Sequence, residues 1–283
     1  MVETVLDDRV VIIDKPPGMA SHEVTTSVKK LTGVSRAGHA GTLDPEVTGV
    51  LPVALGKATK LLRYIAGKHK TYAGIIKFKN VLEKSRIQEL FSEFTGEIIQ
   101  TPPKISAVKK APRKRHVHYL RLLEVRGRLA LFEAKVDAGT YIRTLCMDIG
   151  KRCGGARMEE LRRTAVGNIT EKEAHTMQEL ADALWLYRKK NQKEMLEKML
   201  RKPEELIGLP KAHIRESAID SVLSGAQIMA PALEKMENVE KGHRVAIYCG
   251  KNFVGVGLAQ VSSKELGKRG LAIKLERVHR SYH

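Results

Sequence analysis

Apolar positions along the chain fall into two periodicities, and their interleaving predicts an α+β protein. Arg9 to Asp14 (RVVIID) reads as a short buried strand, stopped by Lys15-Pro16-Pro17-Gly18, because proline cannot donate to a ladder. A helix follows in which Val24, Val28 and Leu31 share a face, with Ser21 placed to cap it. Tyr72 to Phe78 (YAGIIKF) reads as a strand. Ile87, Leu90, Phe91 and Phe94 have helical spacing within Lys84 to Phe94, and Gly96 ends that helix. Leu129 to Ala138 is the second strand of a pair turning around Gly127. Tyr141 to Cys153 reads as a helix that offers Leu145, Ile149 and Cys153 to the core. Gly38 to Gly56, glycine-rich and almost uncharged, reads as a loop.

Thr176 to Lys202 reads as helix interrupted near Asn191, and Pro203 to Pro210 is the best domain boundary. The pattern divides the chain into residues 1–205 and 206–283. The tail is β-rich. After a short helix over Ile214 to Leu223, Arg244 to Tyr248 and Phe253 to Gln260 form a hairpin across Gly250-Lys251, and Leu271 to Val278 is a further strand.

Charge adds a partner to this picture. Fifty Lys and Arg stand against 32 Asp and Glu, a net charge of +18. That excess favours a polyanion, because each phosphate neutralised releases condensed counterions. From Lys104 to Arg128 nine residues are Lys or Arg and Glu124 is the only acid, with Pro112 in the middle. A basic loop carrying Lys109, Lys110, Arg113, Lys114 and Arg115 is the expected nucleic-acid contact. The three cysteines are odd in number and form no Cys-x-x-Cys pair, which argues against a disulfide framework or a zinc site. No apolar run approaches the roughly 18 residues of a membrane helix, and the charged N-terminus does not read as a secretory signal. A cytoplasmic protein with no membrane partner is the expectation.

The most informative stretch is Gly38-His39-Ala40-Gly41-Thr42-Leu43-Asp44-Pro45. A single carboxylate on a turn stiffened by glycine and proline is usable as a nucleophile or a base. The same residues also suit an Asx turn, in which Asp44 only bonds neighbouring N–H groups. His39-Ala40-Gly41-Thr42-Leu43-Asp44-Pro45, continued by Gly49-Val50-Leu51-Pro52-Val53, resembles the signature loop of the TruB/dyskerin-type RNA pseudouridine synthases. Lys15-Pro16-Pro17-Gly18, Gly139-Thr140-Tyr141-Ile142-Arg143 and Leu161-Arg162-Arg163-Thr164 resemble three further motifs of that family, in the family's order. Thr101-Pro102-Pro103 and Ala107-Val108-Lys109-Lys110 resemble its archaeal and eukaryotic branch. No lysine-rich tail like that of the eukaryotic members follows, which points to an archaeal protein. Residues 208–283 resemble a PUA domain.

The resemblance implies a mixed or antiparallel sheet in a catalytic domain with a C-terminal PUA domain. It implies isomerisation of uridine to pseudouridine in RNA without cofactor or metal, as the catalytic subunit of an H/ACA guide particle. Implied partners are guide RNA, rRNA, tRNA and small accessory proteins. Asp44 would be the catalytic carboxylate, Arg143 its partner in a partly dry pocket, and Tyr72 the residue stacked on the base. Leu161 would pack against the base, with His39, Tyr141 and Lys15 lining the substrate site. Lys251, with Lys264, Lys268, Arg269, Lys274 and Arg277, would give the tail its positive surface, and Gly255 and Gly257 would admit an RNA backbone. A stand-alone tRNA synthase and a non-catalytic PUA scaffold are the competing readings. An intact Asp44, Tyr72 and Arg143 argues against the scaffold.

Overall fold

The structure is a computed structural model that describes residues 6–101, 111–265 and 269–279. Lys109, Lys110 and Lys268 lie outside the described residues. The chain divides into two compact units, the first running to Arg201 and the second starting at Lys202. Among the described residues no helix is long and apolar enough to cross a membrane.

The first unit is built on one sheet of ten strands: β1 (Val10–Lys15), β2 (Ala37–His39), β3 (Thr48–Leu55), β4 (Lys70–Phe78), β5 (Gly96–Gln100), β6 (Arg113–Arg126), β7 (Leu129–Val136), β8 (Ala156–Val166), β9 (Ile169–Thr170) and β10 (Leu200–Arg201). The spatial order is β10-β1-β3-β8-β4-β7-β6-β5, with β2 beside β3 and β9 beside β8. Every pairing is antiparallel except β3 with β8, so the sheet is mixed. Two expectations fail here. Gly38 to Gly56 is not a loop throughout: Thr48–Leu55 is an interior strand with every residue after Thr48 buried. Its lack of charge is the mark of a strand covered on both faces rather than of a loop. Arg113, Lys114 and Arg115 are not on a loop either. They lie in β6 and pair with Gln100, Ile99 and Ile98 of β5.

Helices cover the sheet in two groups. Helix α1 (Ser21–Thr32) packs Val24 and Val28 against Val11, Ile13, Leu51 and Val53. A short α2 (Leu62–Ala66) follows β3. Helix α3 (Lys84–Glu93) buries Ile87, Leu90 and Phe91, and α4 (Ile142–Lys151) buries Ile142, Leu145, Cys146 and Ile149 in the cluster built around Ile76 and Phe132. Each such side chain contributes about 1.5–3 kcal/mol of transfer free energy. Helices α5 (Met177–Lys190) and α6 (Glu194–Met199) join the α1 cluster. Asn191 breaks them apart in the left-handed conformation (φ 55°). The helical reading to Lys202 ends early, because Leu200–Arg201 pairs with β1. Cys146 is buried, and burial pushes its thiol up to about 12, so it acts as a small apolar side chain.

The second unit has helices α7 (Pro203–Ile207) and α8 (Ile219–Leu223) and strands β11 (Lys211–Ile214), β12 (Ile228–Met229), β13 (Leu233–Met236), β14 (Arg244–Cys249), β15 (Asn252–Ala259) and β16 (Leu271–Val278). They form one sheet in the order β12-β16-β15-β14-β11-β13, with β11 parallel to β14. The predicted hairpin is β14–β15, and Lys251 stands exposed at its turn. Gly255 and Gly257 do not open the surface to RNA. A Cβ on Gly255 would stand 2.2 Å from the Arg277 carbonyl, and one on Gly257 would stand 2.4 Å from Ile273 Cγ2. Their smallness lets β16 close over β15.

Candidate active site

Asp44 lies in the connection between β2 and β3, and the backbone on both sides of it is tied down. Before it, Ser21 Oγ accepts from the Leu43 N–H at 2.8 Å and donates to the Leu43 carbonyl at 3.0 Å. After it, the Pro45 carbonyl accepts from Lys15 Nζ at 2.9 Å and from the Gly18 N–H at 3.0 Å. The Asp44 carbonyl accepts from the Val47 N–H at 3.0 Å. The side chains of Leu43 and Val47 are sunk in the α4 cluster. A rigid backbone therefore presents a carboxylate that is 56% exposed.

Ser21 is the first helical residue, not the cap. Ala20 stands at the cap, and its N–H donates to Glu23 at 2.6 Å. The hydroxyl expected to cap α1 instead grips the Asp44 loop. Lys15 is wholly buried, and its ammonium donates to the carbonyls of Pro16 (2.8 Å), Met19 (2.6 Å) and Pro45. Three donors are thus directed at three carbonyls. Lys15 joins the segment after β1 to the Asp44 loop, with its ammonium turned to these carbonyls. Burial pushes its pKa down, against the pull of Glu46 and Asp44.

Arg163 supports the loop from the sheet. It is 1% exposed, and it donates to the Val50 carbonyl through Nε and to the Gly41 carbonyl through Nη2, both at 2.8 Å. The Tyr72 hydroxyl is its third partner, and burial lowers the pKa of the guanidinium. Tyr72 pairs with Arg163 across β4 and β8, is 8% exposed, and packs in the cluster that holds Leu43 and Val47. Leu161 packs against the same cluster, with a methyl 2.8 Å from where a Cβ on Gly74 would stand. Lys70 is buried nearby and donates to the carbonyls of Ala66 and Lys68. Burial, then Arg163, bring its pKa down to about 8.

Arg143 is the second residue of α4. Its Nη2 lies 2.9 Å from Asp44 Oδ2 and 3.6 Å from Glu46 Oε2. Two residues far apart in sequence are thus joined, and among the described residues the pair is half exposed, with 51% of the Arg143 side chain accessible. His39 lies between Thr25 Oγ1 (2.9 Å, at Nδ1) and Thr42 Oγ1 (3.3 Å, at Nε2), and burial, then Arg163 and His22, lower its pKa. Tyr141 is the cap residue of α4. Arg115 turns toward the same turn, its Nε donating to the Gly139 carbonyl at 3.1 Å. Lys114 pairs with Glu97 at 2.9 Å. No group of three or more His, Cys, Asp or Glu is placed to hold a metal ion among the described residues.

Sequence reasoning missed the structural roles of Ser21, Arg163, Arg115 and Gln100. Arg163 did leave a signal: a charge in the middle of a strand, two residues from Leu161 and so on the same face of the sheet. Gln100 left none.

A carboxylate on a clamped loop, held beside a guanidinium from a helix start, makes a candidate acid–base or nucleophile site on a mixed sheet, and a separate β-rich unit follows it. The comparisons narrow that class. The model of the TruB family pseudouridylate synthase N-terminal domain matches residues 29–83 and 79–142. The tRNA pseudouridylate synthase B C-terminal domain matches 143–207, and the PUA domain 210–279. A probable tRNA pseudouridine synthase B from Pyrobaculum arsenaticum is 46% identical, over 95% of this chain and 83% of its own. One from Methanopyrus kandleri is 40% identical, over 98% and 84%. Among solved structures, a Cbf5-Nop10-Gar1 complex gives a TM-score of 0.92 at 38% identity, covering 99% of this chain and 87% of that chain. The structure of an H/ACA RNP bound to a substrate RNA containing 2'-deoxyuridine gives 0.90 at 36%, covering 99% and 87%. The chain belongs to the TruB family and is an RNA pseudouridine synthase.

Proposed function

We propose that this chain is the catalytic subunit of an H/ACA guide particle that isomerises uridines in rRNA, and that it also acts on the TΨC loop of tRNA. Asp44 carries the reaction. The observation behind this is the 2.9 Å pair of Asp44 and Arg143 on a loop whose backbone is held at Gly41, Leu43 and Pro45. Pseudouridylation cuts the bond from uracil N1 to the ribose, turns the base and rejoins it through carbon 5. The uridine leaves its stack to reach the site. Asp44 then adds to the ribose as nucleophile or removes a ribose proton to give a glycal. Either role needs a carboxylate held still, and the clamped backbone sets its position before substrate arrives. Arg143, bound to Asp44 before substrate arrives, orients it. Tyr72 and Leu161 form the apolar wall against which the base turns.

Support for the guided reading comes from the solved structures, whose chains resemble this one over 99% of its length and are described in a Cbf5-Nop10-Gar1 complex and in an archaeal box H/ACA sRNP Nop10-Cbf5 complex. Small accessory proteins and a guide RNA are the partners this implies. The tRNA reading draws on the names of the relatives. Lys251 and the exposed bases of the second unit would contact a single-stranded RNA element. The test is incubation of the protein with tRNA and with rRNA fragments, with and without guide RNA and accessory proteins, followed by pseudouridine mapping. Modification of rRNA only when the guide is present supports the guided enzyme. Modification of tRNA alone, unaffected by any guide, contradicts it.

A further inference from the structure

Gln100 is the last residue of β5, at the edge of the large sheet, and only 3% of its surface is exposed. Its amide grips one residue twice. The side-chain oxygen accepts from the Tyr141 N–H at 3.0 Å, and Nε2 donates to the Tyr141 carbonyl at 3.2 Å. Tyr141 is the cap of α4, in extended backbone (φ −99°, ψ 107°), and its carbonyl also accepts the first helical bond, from the Leu145 N–H at 2.9 Å. Arg143 follows two residues later. Its position relative to Asp44 is therefore set by where the Tyr141 peptide is held.

The rest of the turn is fastened from the same side. Arg115 holds the Gly139 carbonyl, and the His116 carbonyl accepts from the Asp137 N–H at 2.9 Å. Gln100 alone among these holds both polar groups of the cap residue. The N–H and C=O of Tyr141 belong to the two peptides on either side of its Cα, so a buried amide that bonds both fixes the orientation of the residue as well as its distance.

We propose that Gln100 is a positioning residue for the pseudouridine reaction, holding the start of α4 so that Arg143 meets Asp44. This rests on the reading of Arg143 as the partner of the catalytic carboxylate. Leucine at position 100 keeps the volume and loses both bonds. Glutamate keeps the acceptor and regains the donor only when protonated, and burial favours that protonated form.

The test uses the full chain with whichever RNA it modifies, reading the single-turnover rate and the RNA Kd separately. Gln100→Leu should slow the single-turnover step on the order of 100-fold, the cost of a displacement near 1 Å at a catalytic group. RNA Kd should stay within about twofold. In an Arg143→Ala background Gln100→Leu should add almost nothing, because the two act as one unit. Gln100→Glu should recover toward the wild-type rate as pH falls, and this profile carries the test if Gln100→Leu does not fold. A purely structural role would give additive losses in the Arg143→Ala background and equal losses of rate and RNA affinity, and either result would overturn the proposal, as would a Gln100→Glu rate that does not recover as pH falls. Wild-type rates in both Gln100 variants alongside a slow Arg143→Ala would overturn the role of Gln100 alone. A wild-type rate in Arg143→Ala would overturn the reading of Arg143, and this proposal with it.

Discussion

At the scale of single residues, the site is an exposed ion pair standing on buried cations. Asp44 and Arg143 face water, while Lys15, Lys70 and Arg163 lie beneath them with their donors directed at carbonyls. An exposed pair of this kind adds little to stability, so its value is geometric. Arg143→Lys should therefore slow the chemical step far more than it weakens RNA affinity, because a lysine ammonium carries its charge on a differently shaped side chain and cannot reproduce the position of Nη2 beside Asp44 Oδ2. Equal losses in single-turnover rate and Kd would contradict this. Lys70 offers a second check. Its folded pKa, about 8, lies below the ordinary 10.5. Between these values the unfolded chain binds more protons than the folded one, so this group makes stability rise with pH. Denaturant titrations at pH 7.5 to 10 should show wild type gaining on Lys70→Met as pH rises, and a constant difference would contradict the assignment. Asp44 could be found in the sequence because a glycine-proline turn around one acid has a motif to match. Gln100 could not, since its meaning lies in a contact with Tyr141, 41 positions away.

At the scale of elements, the loop after β2 is held by three others: the segment after β1, the first turn of α1, and β8. Ser21→Ala would leave the Leu43 N–H and carbonyl without their buried partner and should cost about 1–3 kcal/mol in urea unfolding, with a matching fall in activity. An unchanged midpoint and rate would show that Leu43 is held by packing alone. Gly49→Ala is more severe. Gly49 has φ +101°, and a Cβ there would stand 2.2 Å from the Arg163 carbonyl, so β3 and β8 could not pair as they do. It should cost about 3 kcal/mol or more. The hairpin of β6 and β7 was legible because Gly127 sits between two apolar runs. The strand character of Thr48–Leu55 was not: glycine, proline and absent charge mark a loop and a doubly covered strand alike. Arg113 to Arg115 were misread for a related reason. Their charge suggested a loop, whereas β6 spends Arg115 on Gly139 and Lys114 on Glu97.

At the scale of the whole molecule, the proposed chemistry lies in the first unit, and the proposal gives RNA contact to the second. A chain ending at Arg201 should stay folded, since the residues described in the α1, α3 and α4 clusters all precede that point, and should lose much of its RNA affinity. Aggregation of the shortened chain, or unchanged affinity, would contradict that division. The charge of +18 makes binding steeply salt-dependent, so affinities must be compared at one ionic strength. A division near Pro203 was expected at 205–206, and the two compact units instead meet between Arg201 and Lys202. The packing of β16 over β15 was not legible, because Gly255 and Gly257 look alike in sequence whether they admit a ligand or a neighbouring strand. The most direct measurement is single-turnover tritium release from RNA carrying 5-tritiated uridine, which reports replacement of the hydrogen at carbon 5. Wild type should release it stoichiometrically, and Asp44→Asn should stay at background while keeping its fold and its RNA Kd within about twofold. Release at a near wild-type rate from Asp44→Asn would contradict the account.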